Sequence, residues 1–308
     1  MLLEHGCIRV QGDECDFVLG RGEFSVHTNA RGASKILLND GREILLEAEA
    51  SKTLNTWYHP TLAGFLEGRW RYALLSLFLS ALFLIFGYFY GLPYLAHVAA
   101  RAIPDYVSEK IDQKSAEFLD QLYFSASKFP LERQRRISEA MERFCHANEC
   151  APYTLLFRSS ILGANAFALA KRSIVLTDEL VLKSANDEEV IAVLAHEMGH
   201  LKHRHMLAQM IKGIGTTLAV YAFIGDVGGV SDMIASAGVL ILESGYSRDA
   251  EREADQYALH SLTRAGIAPK RFADILLRLT EESEGKDLAI FRTHPETKER
   301  IKIFLEVK

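Results

Sequence analysis

Between Arg71 and Arg101 the chain has no residue charged at neutral pH, and Tyr72 to Tyr90 reads YALLSLFLSALFLIFGYFY. No other stretch limits the fold as strongly. A hydrocarbon core about 30 Å thick needs roughly 20 apolar residues in a helix, and this run meets that length. Trp70 and Tyr72 at one end, and Tyr88, Tyr90 and Tyr94 at the other, suit the two polar interfaces. Pro93 is expected to end or kink the helix. The alternative is a buried helix of a soluble core. Met1 to Val10 contains Glu4, His5 and Arg9 with no apolar run after it, so it does not read as a cleaved leader. Residues 70–100 are therefore expected to be an uncleaved single-pass transmembrane helix and linker in the lipid bilayer. Arg69 and Arg71 precede the run, whereas Arg101, Lys110 and Lys114 follow it. That balance leans toward a cytoplasmic N-terminus and an exported C-terminal half.

The run divides the 308 residues into two parts. Residues 1–66 are expected to form a small β-rich N-terminal domain. Its strand candidates are Cys15–Leu19, Glu23–His27, Lys35–Leu38 and Glu43–Leu46, with Asn39-Asp40-Gly41 as a hairpin turn. Residues 101–308 are expected to be mainly helical with a small β-sheet, giving an α+β chain. Helices are expected at Val107–Ala126 and Leu131–Ala147, and strands at Tyr153–Arg158, Asn165–Leu169 and Ser173–Leu176. Another helix opens after Asn186, with Glu189 at the third position of a variant capping box. Met206–Ile224 is apolar but contains Gln209, Lys212, Gly213 and Gly215. It is expected to pack on the core or at the bilayer surface, with a second span as the alternative. Met233–Leu242 is too short to cross. A net charge of −5, mixed along the chain, gives no reason to expect nucleic acid. Cys7, Cys15, Cys145 and Cys150 form no C-x-x-C pair. Cys145 and Cys150 could equally be free or joined by a local disulfide.

The chemistry centres on His196-Glu197-Met198-Gly199-His200. Four residues apart on a helix, both imidazoles reach one ion, while Ile191, Leu194, Ala195 and Met198 supply an apolar face. Glu197 would lie beside the open position of a metal, where a water sits. H-E-x-x-H arises by chance in roughly a few per cent of such chains, so the motif alone is only suggestive. His203 and His205 read as a polar helix end. A catalytic zinc site needs a third protein ligand. The best candidate lies in Ser247-Arg248-Asp249-Ala250-Glu251-Arg252-Glu253-Ala254-Asp255, a helix capped by Ser247. There Glu251 could ligate the metal, and Asp255 on the same face could orient a histidine. Alone, that segment reads first as a solvated charged helix.

Together these motifs resemble the membrane-associated zinc peptidases that include the CAAX prenyl protease, HtpX-like and OMA-type proteases. The resemblance covers about residues 105–308. It implies a zincin-type domain holding one Zn²⁺ per chain through His196, His200 and Glu251, with Asp255 behind the ligands. Asn165-Ala166-Phe167 resembles the strand lining that family's substrate cleft. His294-Pro295 with Arg300 resembles its C-terminal H-P motif, which implies that His294 helps to stabilise the oxyanion and that Arg300 belongs to the substrate-binding set. The single early span resembles a bacterial subgroup, implying an inner-membrane protein with its catalytic domain in the periplasm.

The expected reaction is hydrolysis of peptide bonds in polypeptide substrates, with Glu197 as proton acceptor. Unfolded or damaged envelope proteins are the preferred substrates, because pairing along a strand reads backbone rather than side chains. Three alternatives stand: a chaperone or assembly factor with latent proteolysis, a membrane adaptor acting through residues 1–66, and ferrous iron in place of zinc. Association into a homo-oligomer is left open.

Overall fold

The computed structural model describes residues 2–4, 7–12, 15–20, 24–28, 34–57, 70–224, 245–283, 289–294 and 298–306. The chain divides into two units, Met1–Phe86 and Gly87–Lys308.

The first unit holds two three-stranded antiparallel sheets. One is β1 (Leu2–Glu4), β2 (Cys7–Gly12) and β3 (Cys15–Leu19). The other is β4 (Phe24–Thr28), β5 (Ser34–Leu38) and β6 (Glu43–Leu45). The β5–β6 turn places Gly41 at φ 88°, a conformation that glycine adopts without strain. Ile8 and Leu19 of the first sheet pack with Phe24, Ile36 and Leu38 of the second and with Leu54 of α1 (Ala48–Trp57). β1 and β2 lie outside the sequence expectation, although Ile8 and Val10 alternate with Arg9 and Gln11 as a half-buried strand requires. The same unit ends in α2 (Trp70–Phe86), where Leu74, Phe78, Leu82 and Phe86 are all at least half exposed. Among the described residues, Tyr72–Ala102 is the helix long and apolar enough to cross a membrane.

The second unit opens with a π-helical turn, Gly87–Gly91, and α3 (Leu92–Ala102). Pro93 does not end the helical run, and it stands just after the π-helical turn that interrupts the α-helical pattern. It occupies the first turn of α3, where its missing N–H costs nothing. After α4 (Asp105–Leu122) comes β7 (Phe124–Ala126), three residues that the helical pattern had claimed. Pairing with β8 (Thr154–Ser160) and stacking of Phe124 on Phe167 outweigh the helix there. The sheet runs β7-β8-β10-β9, with β9 at Ala166–Ala168 and β10 at Ser173–Thr177. β10 is buried throughout, parallel to β8 and antiparallel to β9. α5 (Leu131–Asn148) ends where Cys145 and Cys150 are joined in a disulfide.

The centre of this unit is α7 (Asp187–His203), which follows the short α6 (Asp178–Lys183). Asn186 caps α7 by accepting from the Glu189 N–H, and the Glu189 carboxylate reaches back to the N–H of Ala185 at 2.8 Å. Burial pushes the Glu189 pKa up, but Arg278 and the Ala185 N–H bring it below the usual carboxylate range. Every residue from Glu189 to Leu201 is buried. An enclosed helix of that kind carries apolar residues all round rather than on one stripe. Ile137, Met141 and Phe144 of α5, Ile174 and Leu176 of β10, and Phe272, Ile275 and Leu279 of α10 (Lys270–Ser283) surround it. Met206–Ile224 falls within α8 (His205–Ile224), which packs against α3 and buries Met206, Leu207, Ala208 and Met210. Met233–Leu242 lies outside the described residues. α9 (Arg248–Arg264), α11 (Ala289–Thr293) and α12 (Lys298–Glu306) complete the unit.

Candidate metal centre

Two helices with nothing between them bring the candidate residues together. At Gly199 of α7, a Cβ would stand 2.8 Å from Ala254 Cα and 3.0 Å from its carbonyl oxygen. Only glycine permits that approach. The facing side of α9 is a run of alanines, Ala250, Ala254 and Ala258, all buried. The crossing turns the acids of α9, which the sequence alone would leave in solvent, toward the histidines of α7. Glu251 is 2 % exposed and Asp255 3 %.

His196 Nε2 and His200 Nε2 lie 3.0 Å apart. Glu251 Oε2 is 3.4 Å from the first and Glu251 Oε1 3.6 Å from the second. Ligand atoms about 2.0–2.1 Å from a tetrahedral zinc stand roughly 3.3 Å from one another, so these edges fit one ion. His294 joins the group: its Nδ1 is 3.3 Å from His196 Nε2 and 3.0 Å from Glu251 Oε1. Charge points the same way. Counted with neutral imidazoles and ionised carboxylates, Glu197, Glu251 and Asp255 against the guanidinium of Arg300 leave two formal negative charges in a buried space. A divalent cation balances them. Among the described residues His294 Nε2 is buried with no hydrogen-bond partner, and buried Glu251 Oε2 has the Arg300 guanidinium beside it as an ion pair.

The electrostatics divide the two histidines. Burial lowers the His196 pKa, but the bonds from Asp255 and Glu251 outweigh it and raise the value to about 9. Burial and then the neighbouring His196 push His200 well below its ordinary value. Burial raises Glu251, yet His294 and His196 bring it well below the carboxylate range. The pocket therefore draws positive charge to the point where the imidazoles meet.

Supports stand behind each ligand. His196 Nδ1 is 2.9 Å from Asp255, and its ring stacks on Phe272. The Arg300 guanidinium grips Asp255 at 2.6 and 2.8 Å and reaches Glu251 Oε2 at 2.7 Å. Arg300 thus binds the acids of the centre, not the cleft where the resemblance put it. Glu197 accepts from the Ala168 N–H at 2.8 Å, which ties it to β9, and burial pushes its pKa up. Asn165 is 2 % exposed, and its Nδ2 has no partner among the described residues. Ala166 lies beside it at the start of β9, whereas the Phe167 ring turns away onto Phe124 in the core. The Pro295 of the H-P pair lies outside the described residues.

Two neighbours escaped the sequence reading. Tyr246 stacks on the His200 ring with centroids 4.0 Å apart, and its buried hydroxyl has no hydrogen-bond partner among the described residues. A lone tyrosine carries no sequence signal for such a role. His205, expected at a polar helix end, is 2 % exposed, and its Nδ1 is 2.8 Å from His200 Nδ1.

Two histidines one turn apart, a glutamate from a second helix and a further glutamate beside them match the residue set expected of a metallopeptidase centre of the gluzincin class. The model of peptidase family M48 matches residues 131–307. The chain belongs to that family of metallopeptidases. It is similar to the metalloprotease LoiP of Escherichia coli (strain K12), 34 % identical over 140 residues, which cover 44 % of this chain and 55 % of LoiP. The mitochondrial metalloendopeptidase OMA1 of Arabidopsis thaliana is 31 % identical over 146 residues, which cover 46 % of this chain and 29 % of OMA1.

 The beta-barrel assembly-enhancing protease of Escherichia coli (strain K12) is 26 % identical over 186 residues, covering 56 % of this chain and 38 % of that protein. The chain spans about half the length of LoiP and less of the other two.

Proposed function

We propose that the chain is a membrane-anchored zinc endopeptidase that hydrolyses peptide bonds in unfolded or damaged proteins of a bacterial envelope. The observation that carries this reading is the convergence of His196, His200 and Glu251 on one point, with Glu197 Oε1 3.4 Å from His294 of the same group. Those three residues would hold the ion. When bound, zinc polarises a scissile carbonyl and lowers the pKa of a water. Glu197 takes the proton of the attacking water and later passes it to the leaving amine. Burial raises its pKa, which suits a group that must both accept and release a proton.

Substrate is read along β9. Asn165 and Leu169 exchange backbone hydrogen bonds with β10, so Ala166 and Ala168 turn their backbone groups the other way, as the Ala168 N–H does toward Glu197. An extended polypeptide adds to that side, and Asn165 Nδ2 donates to one of its carbonyls. Backbone pairing of this kind favours unfolded chains. The name of the beta-barrel assembly-enhancing relative supports work on envelope proteins.

Residues 1–66 form a β-rich N-terminal domain and residues 70–100 an inner-membrane anchor and linker, with residues 101–308 as the catalytic domain in the periplasm. The exposed apolar side chains of the helix and the Cys145–Cys150 disulfide support that topology, since disulfides persist in oxidising compartments. A phosphatase reporter fused after Lys308 is expected to be active only when exported, and a reporter active solely in the cytoplasm would reverse the orientation.

Metal removal tests the central reading. The purified full chain should carry about one zinc and cleave casein. Dialysis against a chelator should abolish cleavage, and stoichiometric zinc should restore it. A chain that binds no metal and cleaves nothing sinks the proposal. A second reading, an assembly factor with latent proteolysis, is favoured by one observation: His294 Nδ1 stands among the ligand atoms, where it would compete with a water for the ion. Zinc-loaded protein that leaves every unfolded substrate intact would support it.

A further inference from the structure

The metal centre as described gives no task to His205, a buried imidazole at the start of α8. Its Nδ1 faces His200 Nδ1 at 2.8 Å, and its Nε2 faces Glu253 Oε2 at 3.0 Å. Two nitrogens of the same kind can share a hydrogen bond only if one carries the proton and the other does not. A neutral imidazole has one N–H. If His200 binds the ion through Nε2, its proton must be on Nδ1, and Nδ1 donates. His205 Nδ1 is then the acceptor, so the His205 proton is on Nε2, which donates to Glu253. Each contact in the chain then has one donor and one acceptor. With both rings neutral and Nε2 of His200 on the ion, no other arrangement of protons satisfies all of them.

From this we infer that His205 and Glu253 are positioning residues, a relay that fixes the tautomer and ring plane of His200 as a metal ligand. The inference rests on the reading of His200 as a ligand. Tyr246 covers the face of the His200 ring while His205 holds its edge. His196 is anchored differently, on Asp255 and Arg300 inside the protein. The outer end of the His200 relay, by contrast, reaches a Glu253 side chain that is 46 % exposed.

His203, His205 and Glu253 also lie close enough to hold a second cation, with His203 Nδ1 3.5 Å from Glu253 Oε2. The proton count argues against that use. A cation on His205 Nε2 would move its proton to Nδ1, setting two N–H groups against each other across 2.8 Å. Filling the outer group would loosen the inner one.

The test measures zinc affinity of the full chain in detergent by competition with a chromophoric chelator. It also records the visible spectrum of the cobalt(II) form, which reports ligand geometry. His205→Leu should weaken zinc binding by about 10–100-fold. His205→Asn, whose Oδ1 can accept where Nδ1 did, should recover most of that loss. Glu253→Ala should shift affinity in the same direction by less. Wild-type affinity and an unchanged cobalt spectrum in His205→Leu overturn the relay. So does a second zinc per wild-type chain that Glu253→Ala and His203→Gln both abolish. If His205→Leu fails to fold, the half-exposed Glu253 decides: wild-type affinity in Glu253→Ala overturns the relay, and weakened affinity with an unchanged melting point of the metal-free protein supports it. A wild type that binds no zinc at all overturns the reading of His200 as a ligand, and the relay with it.

Discussion

Glu197→Gln is expected to lower the turnover of an unfolded substrate such as casein by about 10²–10⁴-fold while leaving the zinc content unchanged. The substitution keeps the volume of the side chain and its hydrogen bond from the Ala168 N–H, since the amide oxygen still accepts. What it removes is the ability to take up a proton. Glu197 is 1 % exposed, and burial raises its pKa, so the native group exchanges a proton more readily near neutral pH than a solvated glutamate would. Metal analysis beside a cleavage assay separates the roles. Retained turnover in the variant would mean that some other group accepts the proton. Loss of both zinc and turnover would make Glu197 a structural support of the site.

Arg300→Leu is expected to have the largest effect on stability. Its guanidinium serves Asp255 and Glu251 together, and each of the three residues is less than a tenth exposed. Removing it leaves two buried carboxylates without their common counter-charge, a loss of about 3–5 kcal/mol. For a domain of this size that corresponds to a fall in melting temperature of about 10 °C. Arg300→Lys should fall between, because an ammonium keeps the charge but not the fork that spans both acids. Thermal melts of the metal-free proteins measure this directly. If Arg300 instead contacts substrate, Arg300→Leu will melt like the wild type and raise KM.

The parts of the molecule legible in the sequence are those fixed by local spacing. The HEMGH helix, its Asn186 cap and the Asn39–Gly41 hairpin depend on residues within a few positions of one another. From its own residues Glu251 is only a candidate ligand, and the resemblance is what favours it over a solvated charged helix. Its own segment is highly charged, and what buries it is the approach of Gly199 to Ala254, 55 residues away in sequence. His205 was misread for a different reason. On a continuous helix it would point about 100° × 5, or roughly 140°, away from His200. Instead Arg204 adopts φ 55°, in the left-handed region, and ends α7 after His203. Its guanidinium binds the carbonyls of Ala100 and Ile103 and the carboxylate of Asp105. The redirected chain brings His205 back to His200. Three long-range contacts of one arginine decide that turn, and no local pattern announces them. Phe124–Ala126 was lost to helix for a similar reason, because its partner strand begins 28 residues later.

Where α7 meets α9, main chain lies against main chain. The span from the histidine pair to Glu251 is therefore gauged by backbone thickness, a dimension that substitutions away from this crossing leave unchanged. Most of the surrounding core can drift in size and shape while that gauge holds. The exceptions are Gly199 and the alanines facing it, where one added methyl group acts as a shim between jaws. A lineage keeping those few small residues inherits the spacing of its ligands without having to preserve the packing around them.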